Sequence, residues 1–125
     1  MTNALKYVTG AAQSFLINQL NLSDKWDQDW EYIVADESRI EEFLEFYTRH
    51  SLSIEQRFAL MIIIIGSFDD YITAHGFSSA IWSRIKLLLE QHKQIHLNTI
   101  IYWSSEQDDI EDGFAVTRYM REIEV

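Results

Sequence analysis

Two histidines four residues apart, His92 and His96, are the first candidates for chemistry in this sequence. On a helix this spacing places both imidazole rings on one face, where they could hold a zinc ion. A zinc site needs further protein ligands, and no third ligand stands at a defined offset from the pair. We therefore expect solvated or helix-capping histidines, and no metal.

Two adjacent carboxylates, Asp69 and Asp70, follow an apolar stretch and could act as an acid–base pair beside a low-dielectric interior. Adjacent helix positions point about 100° apart, so these two groups cannot share a proton. We predict that they form salt bridges to Arg84, Arg118 or Arg121 instead.

No catalytic or cofactor motif is present elsewhere. The acidic segment from Asp108 to Gly113 fails as a calcium loop, because Ile110 and Tyr119 stand where oxygen ligands are needed. A nucleophile elbow, a dinucleotide-binding glycine pattern, a phosphate loop and a His-Glu-x-x-His pattern are all absent. We expect neither enzymatic activity nor a cofactor. A further alternative is a small enzyme whose polar residues converge only in three dimensions, for instance Asp69, Asp70, His92 and Arg118. A deep pocket that holds two of these residues with shifted pKa values would support it.

The spacing of apolar residues predicts the helices that position these groups. The predicted helices cover about residues 3–22, 23–34, 38–49, 54–74 and 78–90. Ser38 with Glu41, and Ser53 with Gln56, have the spacing of a capping box. The stretch from Phe58 to Ile65 is apolar on every side, which predicts a central helix with neighbours all round.

The pattern changes after residue 95. Residues 96–103 are β-branched and aromatic, which favours a strand, and the acidic residues 106–113 follow as a loop. Residues 114–117 could form a partner strand or lead into a last helical turn. We predict a mainly α fold: a single-domain helical bundle of about five helices over residues 1–125, with a small C-terminal β-hairpin.

Composition excludes several classes of function. The chain has 125 residues, 20 acids, 10 bases and no cysteine, with a net charge of −10. Such a charge repels nucleic-acid phosphates and anionic lipids, and it attracts basic proteins. The longest apolar run, Phe58 to Ile65, is much shorter than the roughly 20 residues that cross a bilayer. We expect a cytoplasmic protein that binds neither nucleic acid nor a membrane.

The acids form two clusters. Nine acids and two bases lie between Asp24 and Glu45, and five acids without a base lie between Glu106 and Asp112. Aromatic residues are interleaved with both clusters, and aromatic anchors ringed by carboxylates suit an interface for a cationic protein. The alternative is that the aromatics face the core and the acids form a solubilising outer face. The interleaved aromatics are Trp26, Trp30, Tyr32, Phe46, Tyr47, Tyr102 and Trp103.

Several segments give the chain a likeness to a known class of proteins. They are residues 29–32 leading to residues 39–47, residues 58–61 ahead of residues 67–71, and residues 99–103 with residues 120–123. In these segments, and in its size, acidity and aromatic content, the chain resembles small acidic bacterial immunity proteins. The resemblance implies a protein that neutralises a cognate toxin, often a nuclease. The folds of these proteins are diverse, so no toxin contact is carried over to a residue here.

We therefore predict an immunity-type protein that binds and neutralises a cognate basic toxin. The predicted partner-binding residues are Asp27, Glu31, Glu41, Glu42, Glu45, Trp103, Asp108, Asp109, Glu111 and Asp112. The alternative is a structural or adaptor domain for protein interaction, open to homodimer formation through exposed aromatics such as Trp103 or Trp82.

Overall fold

The computed structural model describes residues 5–25 and 28–125, and these ranges contain seven α-helices. They are α1 (Gly10–Leu20), α2 (Trp30–Ile33), α3 (Ile40–Arg49), α4 (Ile54–His75), α5 (Ser79–Gln91), α6 (Lys93–Ser104) and α7 (Thr117–Met120). Short 3₁₀ helices, Glu37–Arg39 and Ile110–Asp112, precede α3 and α7. The prediction of a mainly α fold is confirmed.

Helix α4 forms the centre of the core. Its residues 58–68 are all buried, and α1, α2, α3 and α6 pack around it. A helix that is apolar on every side is stable only when neighbours cover it, which is the arrangement here. By length and composition α4 could also cross a membrane, but 61% of its apolar window is buried inside the protein, the pattern of a core helix.

The predicted ends of α4 are confirmed. The Ser53 hydroxyl accepts a hydrogen bond from the Gln56 backbone amide at 3.2 Å, and the Gln56 side chain accepts one from the Ser53 amide at 2.9 Å. The two bonds satisfy backbone donors that the first turn of a helix leaves free. Gly76 ends the helix with a φ of 89°, a conformation that glycine adopts without strain.

The prediction that Ser38 caps α3 is wrong. Ser38 lies inside the 3₁₀ turn, and the Asp36 carboxylate accepts hydrogen bonds from both its amide (2.9 Å) and its hydroxyl (2.6 Å). Because the Ser38 hydroxyl donates to the Asp36 carboxylate, it does not cap α3. Glu41 does not complete a capping box; its carboxylate pairs with Arg84.

The predicted C-terminal β-hairpin is also wrong. The described residues contain no strand, and residues 93–104 form α6. His96, Thr99, Ile100 and Trp103 are buried, and their spacing is that of one face of a helix. Burial of this face outweighs the weak strand preference of the β-branched residues, because strand propensity depends mainly on the packing context.

Candidate functional site

A buried hydrogen-bonded network joins α3 to the junction of α5 and α6. The Tyr47 hydroxyl lies 3.0 Å from Nδ1 of His92 and 2.8 Å from Nε2 of His96. Tyr47 and His96 are fully buried, and the Arg57 guanidinium lies over the Tyr47 ring at 5.2 Å. The prediction of solvated or capping histidines is therefore wrong for His96. Helix α6 places the ring of His96 in the core.

Burial determines the protonation of this network. It lowers the pKa of His96 to about 3 and raises the pKa of Tyr47 to about 12. Burial, followed by repulsion from Arg57, also lowers the pKa of His92, so all three groups are neutral at pH 7. Nδ1 of His96 has no hydrogen-bond partner among the described residues. The proton therefore belongs on Nε2, because an unpaired buried acceptor costs less than an unpaired N–H.

The adjacent carboxylates on α4 do not form the predicted salt bridges. Oδ1 of Asp69 accepts a hydrogen bond from the Val116 backbone amide at 2.9 Å. Among the predicted partners, Arg84 pairs with Glu41, and Arg121 donates to backbone carbonyl groups. Backbone amides just before α7 thus bind the Asp69 carboxylate, where we expected an arginine side chain.

Asp69 and Asp70 lie together in a cleft of about 420 Å³, beside Tyr32 and Tyr102. Burial raises the pKa of both carboxyl groups, and repulsion from a neighbouring carboxylate raises each further. The cleft therefore holds two of the four residues named for the enzyme alternative, whereas His92 and Arg118 do not line it. The absence of enzymatic activity stays a prediction. Carboxyl groups beside aromatic rings suit the binding of a cationic side chain.

The predicted acids of α3 are engaged within the chain. The Arg39 guanidinium forms a bidentate pair with Glu42, with N–O distances of 2.8 and 2.7 Å, and the Arg39 hydrogen bond lowers the pKa of Glu42. Arg84 pairs with Glu41. Arg49 lies 3.7 Å from Glu45. These carboxylates are exposed, so the pairs are individually weak, but a partner would have to displace an arginine from each.

The predicted acids after α6 have a different environment. Residues 105–113, here called the acidic loop, carry Glu106, Asp108, Asp109, Glu111 and Asp112, which are all exposed. None of these carboxylates has an ion-pair partner within the part of the chain that the structure describes. The loop therefore presents a concentrated negative charge to solvent.

Backbone contacts hold the acidic loop in place. Arg121 donates hydrogen bonds to the carbonyl oxygens of Ser104 (2.7 Å), Ser105 (2.6 Å) and Asp108 (2.8 Å). At the other end, the Thr117 hydroxyl accepts from the Phe114 amide and donates to the Trp103 carbonyl, both at 2.9 Å. Because the arginine binds carbonyl groups, it orders the loop without pairing with its carboxylates.

An exposed tyrosine pair lies next to this loop. The rings of Tyr32 and Tyr102 have centroids 6.4 Å apart, and Tyr102 lies 5.6 Å from Phe114, where the acidic loop returns. Tyr102 is 52% exposed and Tyr32 is 36% exposed. Burial, together with a side-chain hydrogen bond to Tyr102, raises the pKa of Tyr32, so the Tyr32 ring is neutral. We call Glu31, Tyr32, Tyr102 and the acidic loop the tyrosine–acid face.

The tyrosine–acid face differs from the predicted set of residues. Trp103 is only 3% exposed and Trp82 only 5% exposed, so the expectation that they are exposed anchors is wrong. The Trp103 indole lies beneath Tyr32, with ring centroids 6.0 Å apart. Glu31 is partly buried beside Tyr32, and burial raises its pKa. Asp27 lies outside the described residues.

A comparison with protein-family models, curated proteins and solved structures finds no match to this chain. Among the described residues, no group of three or more histidine, cysteine or acidic side chains is placed to hold a metal ion.

Two features of the site were missed at the level of sequence, and one of them left a signal. The spacing of His96, Thr99, Ile100 and Trp103 was readable as a helical face, and that reading places Tyr102 on the flank beside Trp103. The hydrogen bonds from Arg121 to the loop carbonyl groups left no signal in the sequence. Any basic residue at this position could have paired with the neighbouring acids instead.

Proposed function

We propose that the protein binds a cognate basic protein toxin and neutralises it, as immunity proteins do, and that the tyrosine–acid face is the contact surface. The observation that carries the proposal is the juxtaposition of two exposed tyrosine rings with a loop of carboxylates that lack cationic partners in the described chain. The net charge of −10 supports it, since a net negative charge attracts basic proteins. The proposed place of action is the cytoplasm.

Each part of the face has its own task in this proposal. Carboxylates of the acidic loop attract the toxin and occupy positions that substrate phosphates would take on a nuclease. Tyr32 and Tyr102 supply rigid apolar area for the contact, and their hydroxyl groups keep polar partners within reach. The cleft that holds Asp70 can receive a lysine or arginine side chain against the tyrosine rings. The α3 acids contribute less, because arginines already pair with them.

The alternative role is an adaptor that forms a homodimer. Exposed apolar residues next to the tyrosine pair, Ile33 and Ile101, favour some protein contact at this face. Two copies meeting there would bring ten loop carboxylates together without a cation, which opposes self-association. Light scattering across a wide concentration range separates the two roles: a strict monomer excludes the homodimer, and a dimer that the Tyr102→Ala substitution dissociates would replace the toxin proposal.

Co-expression tests the neutralising function. The chain should restore growth of bacteria that express the basic protein encoded by the gene adjacent to its own, and the two proteins should copurify. The double variant Tyr32→Ala, Tyr102→Ala should weaken the complex at least about thirtyfold, since truncation of a single hot-spot aromatic costs about 2 kcal/mol or more. Phe77→Ala is the matched control, because Phe77 is 40% exposed and lines neither of the two cavities that Tyr32 and Tyr102 line. A harmless neighbouring protein, or undiminished toxicity, would contradict the proposal.

A further inference from the structure

A second cavity, of about 590 Å³, lies between α1, α4, α6 and the chain around α2. Its volume falls in the range of sites that hold small molecules, about 300–1,000 Å³. The wall is mixed in character: aromatic rings of Trp30, Phe58 and Trp103 face polar side chains from α1 and α6. We call it the Trp103 cavity. The cavity is partly open to solvent, so a small molecule can enter it from the surface.

The polar residues of the wall carry unsatisfied atoms. Nε2 of Gln13, Oγ1 of Thr99 and Nε1 of Trp103 are buried and have no hydrogen-bond partner among the described residues. The three side chains are 7%, 4% and 3% exposed, so solvent at the surface does not compensate them. Buried polar atoms without a partner are rare and destabilising, and three of the five in the described chain belong to residues of this one wall.

The unsatisfied atoms define the chemistry of an occupant. Gln13 and Trp103 offer N–H donors, and the Thr99 hydroxyl donates or accepts, so the occupant must supply hydrogen-bond acceptors. The aromatic rings select a planar molecule, since stacked and edge-to-face contacts form with flat rings. Lys6 and Glu31 both line the cavity with opposite charges, so its wall favours neither an anion nor a cation.

We propose that the Trp103 cavity binds an uncharged, planar heteroaromatic molecule whose carbonyl or ring-nitrogen acceptors take hydrogen bonds from Gln13, Thr99 and Trp103. The inference does not rest on toxin binding, although Tyr32 and Tyr102 border both the cavity and the tyrosine–acid face. The three polar atoms have almost no accessible surface in this structure, so an occupant reaches them only when their side chains turn toward the cavity.

Nuclear magnetic resonance of the tryptophan indole N–H groups tests the proposal directly. The probes are quinolin-2-one, quinazolin-4-one and hypoxanthine, with naphthalene as a flat analogue that has no acceptor. At least one acceptor probe should shift the Trp103 indole resonance saturably, and naphthalene should bind at least about tenfold more weakly. The Trp82 indole, which lies 3.4 Å from a Glu122 carboxylate oxygen, is the internal control and should not move. No shift of Trp103 with any probe at millimolar concentration would overturn the proposal.

Two threonine substitutions separate a ligand site from an ordinary buried hydroxyl. Thr99→Val removes an unsatisfied group, so it should raise Tm by about 4 °C while weakening the acceptor probe at least about tenfold. Thr117→Val is the matched control, because the Thr117 hydroxyl is buried and fully hydrogen-bonded, and its loss should lower Tm. Unchanged probe affinity in both Thr99→Val and Gln13→Met would overturn the proposal. These variants leave the tyrosine–acid face intact and should still neutralise the toxin, so the two proposals fail separately.

Discussion

Lowering the pH from 7 to 4 should reduce the free energy of unfolding by about 3 kcal/mol more in the wild-type protein than in a His96→Gln variant. The cause is the His96 ring, which is fully buried and has a pKa lowered from 6.5 to about 3. Glutamine keeps an N–H donor close to the position of Nε2 but does not titrate in this range. The comparison therefore isolates the contribution of the imidazole.

The sign follows from which state takes up the proton. Above pH 6.5 His96 is neutral in both the folded and the unfolded chain, so it causes no pH dependence. Below pH 6.5 His96 binds a proton in the unfolded chain, but in the folded protein it stays neutral down to about pH 3. The free energy of unfolding therefore falls by about 1.4 kcal/mol for each pH unit in this range. Carboxyl groups with raised pKa values, Asp69 and Asp70, act in the opposite direction, but equally in both proteins.

Urea unfolding at pH 7, 5.5 and 4, followed by far-ultraviolet circular dichroism, measures this difference. His50→Gln is the control, because His50 is exposed at the end of α3. It should follow the wild-type profile. Parallel profiles for wild type and His96→Gln would show that His96 is accessible to protons in the folded state, and would contradict the buried neutral network with Tyr47 and His92.

The Phe68→Ala substitution should destabilise the protein by about 3–5 kcal/mol, the range for truncation of a buried aromatic ring. Phe68 is fully buried on α4, and its ring lies within about 6 Å of the rings of Tyr71, Phe77 and Trp82. The change removes the shared centre of an aromatic cluster that joins α4 to α5, and the large cavity cannot close without moving helices.

The same substitution at Phe77 provides a matched control from the same cluster. Phe77 is 40% exposed and stacks on Tyr119 from the outside, so Phe77→Ala should cost about 1 kcal/mol. Chemical denaturation of both variants gives the two values. Equal losses would mean that Phe68 does not occupy the core position that the structure assigns to it.

The parts of the fold that could be predicted are those with strong local signals. Ser53 and Gln56 form their capping box through hydrogen bonds within one helical turn, and Gly76 ends α4 with a φ that suits few other residues. The prediction of a strand over α6 was wrong because the β-branched residues of this segment have a local preference for strands. The burial of the face that contains His96 and Trp103 depends on tertiary packing.

The candidate site was predictable in its charge but not in its geometry. Acidic composition identified both clusters, but the pairing of Glu41 with Arg84, 43 positions apart, depends on the tertiary fold that brings these two side chains together. The buried face of Trp103 and the exposed position of Tyr102 follow from the spacing only when residues 93–104 are taken as a helix, and the strand prediction concealed this difference. The structure therefore moves the proposed anchors from Trp103 to Tyr32 and Tyr102.

The most direct test of the proposed recognition is the rate of association with the basic toxin, measured by stopped flow at about 50 mM and about 300 mM salt. Two variants remove the same charge: Asp108→Asn, Asp109→Asn, Glu111→Gln in the loop, and Glu41→Gln, Glu42→Gln, Glu45→Gln on α3. The loop variant should associate about tenfold more slowly at low salt and lose most of its salt dependence, whereas the α3 variant should change less than about twofold. Equal slowing of both variants would show that net charge alone steers the encounter, and would contradict a defined tyrosine–acid face.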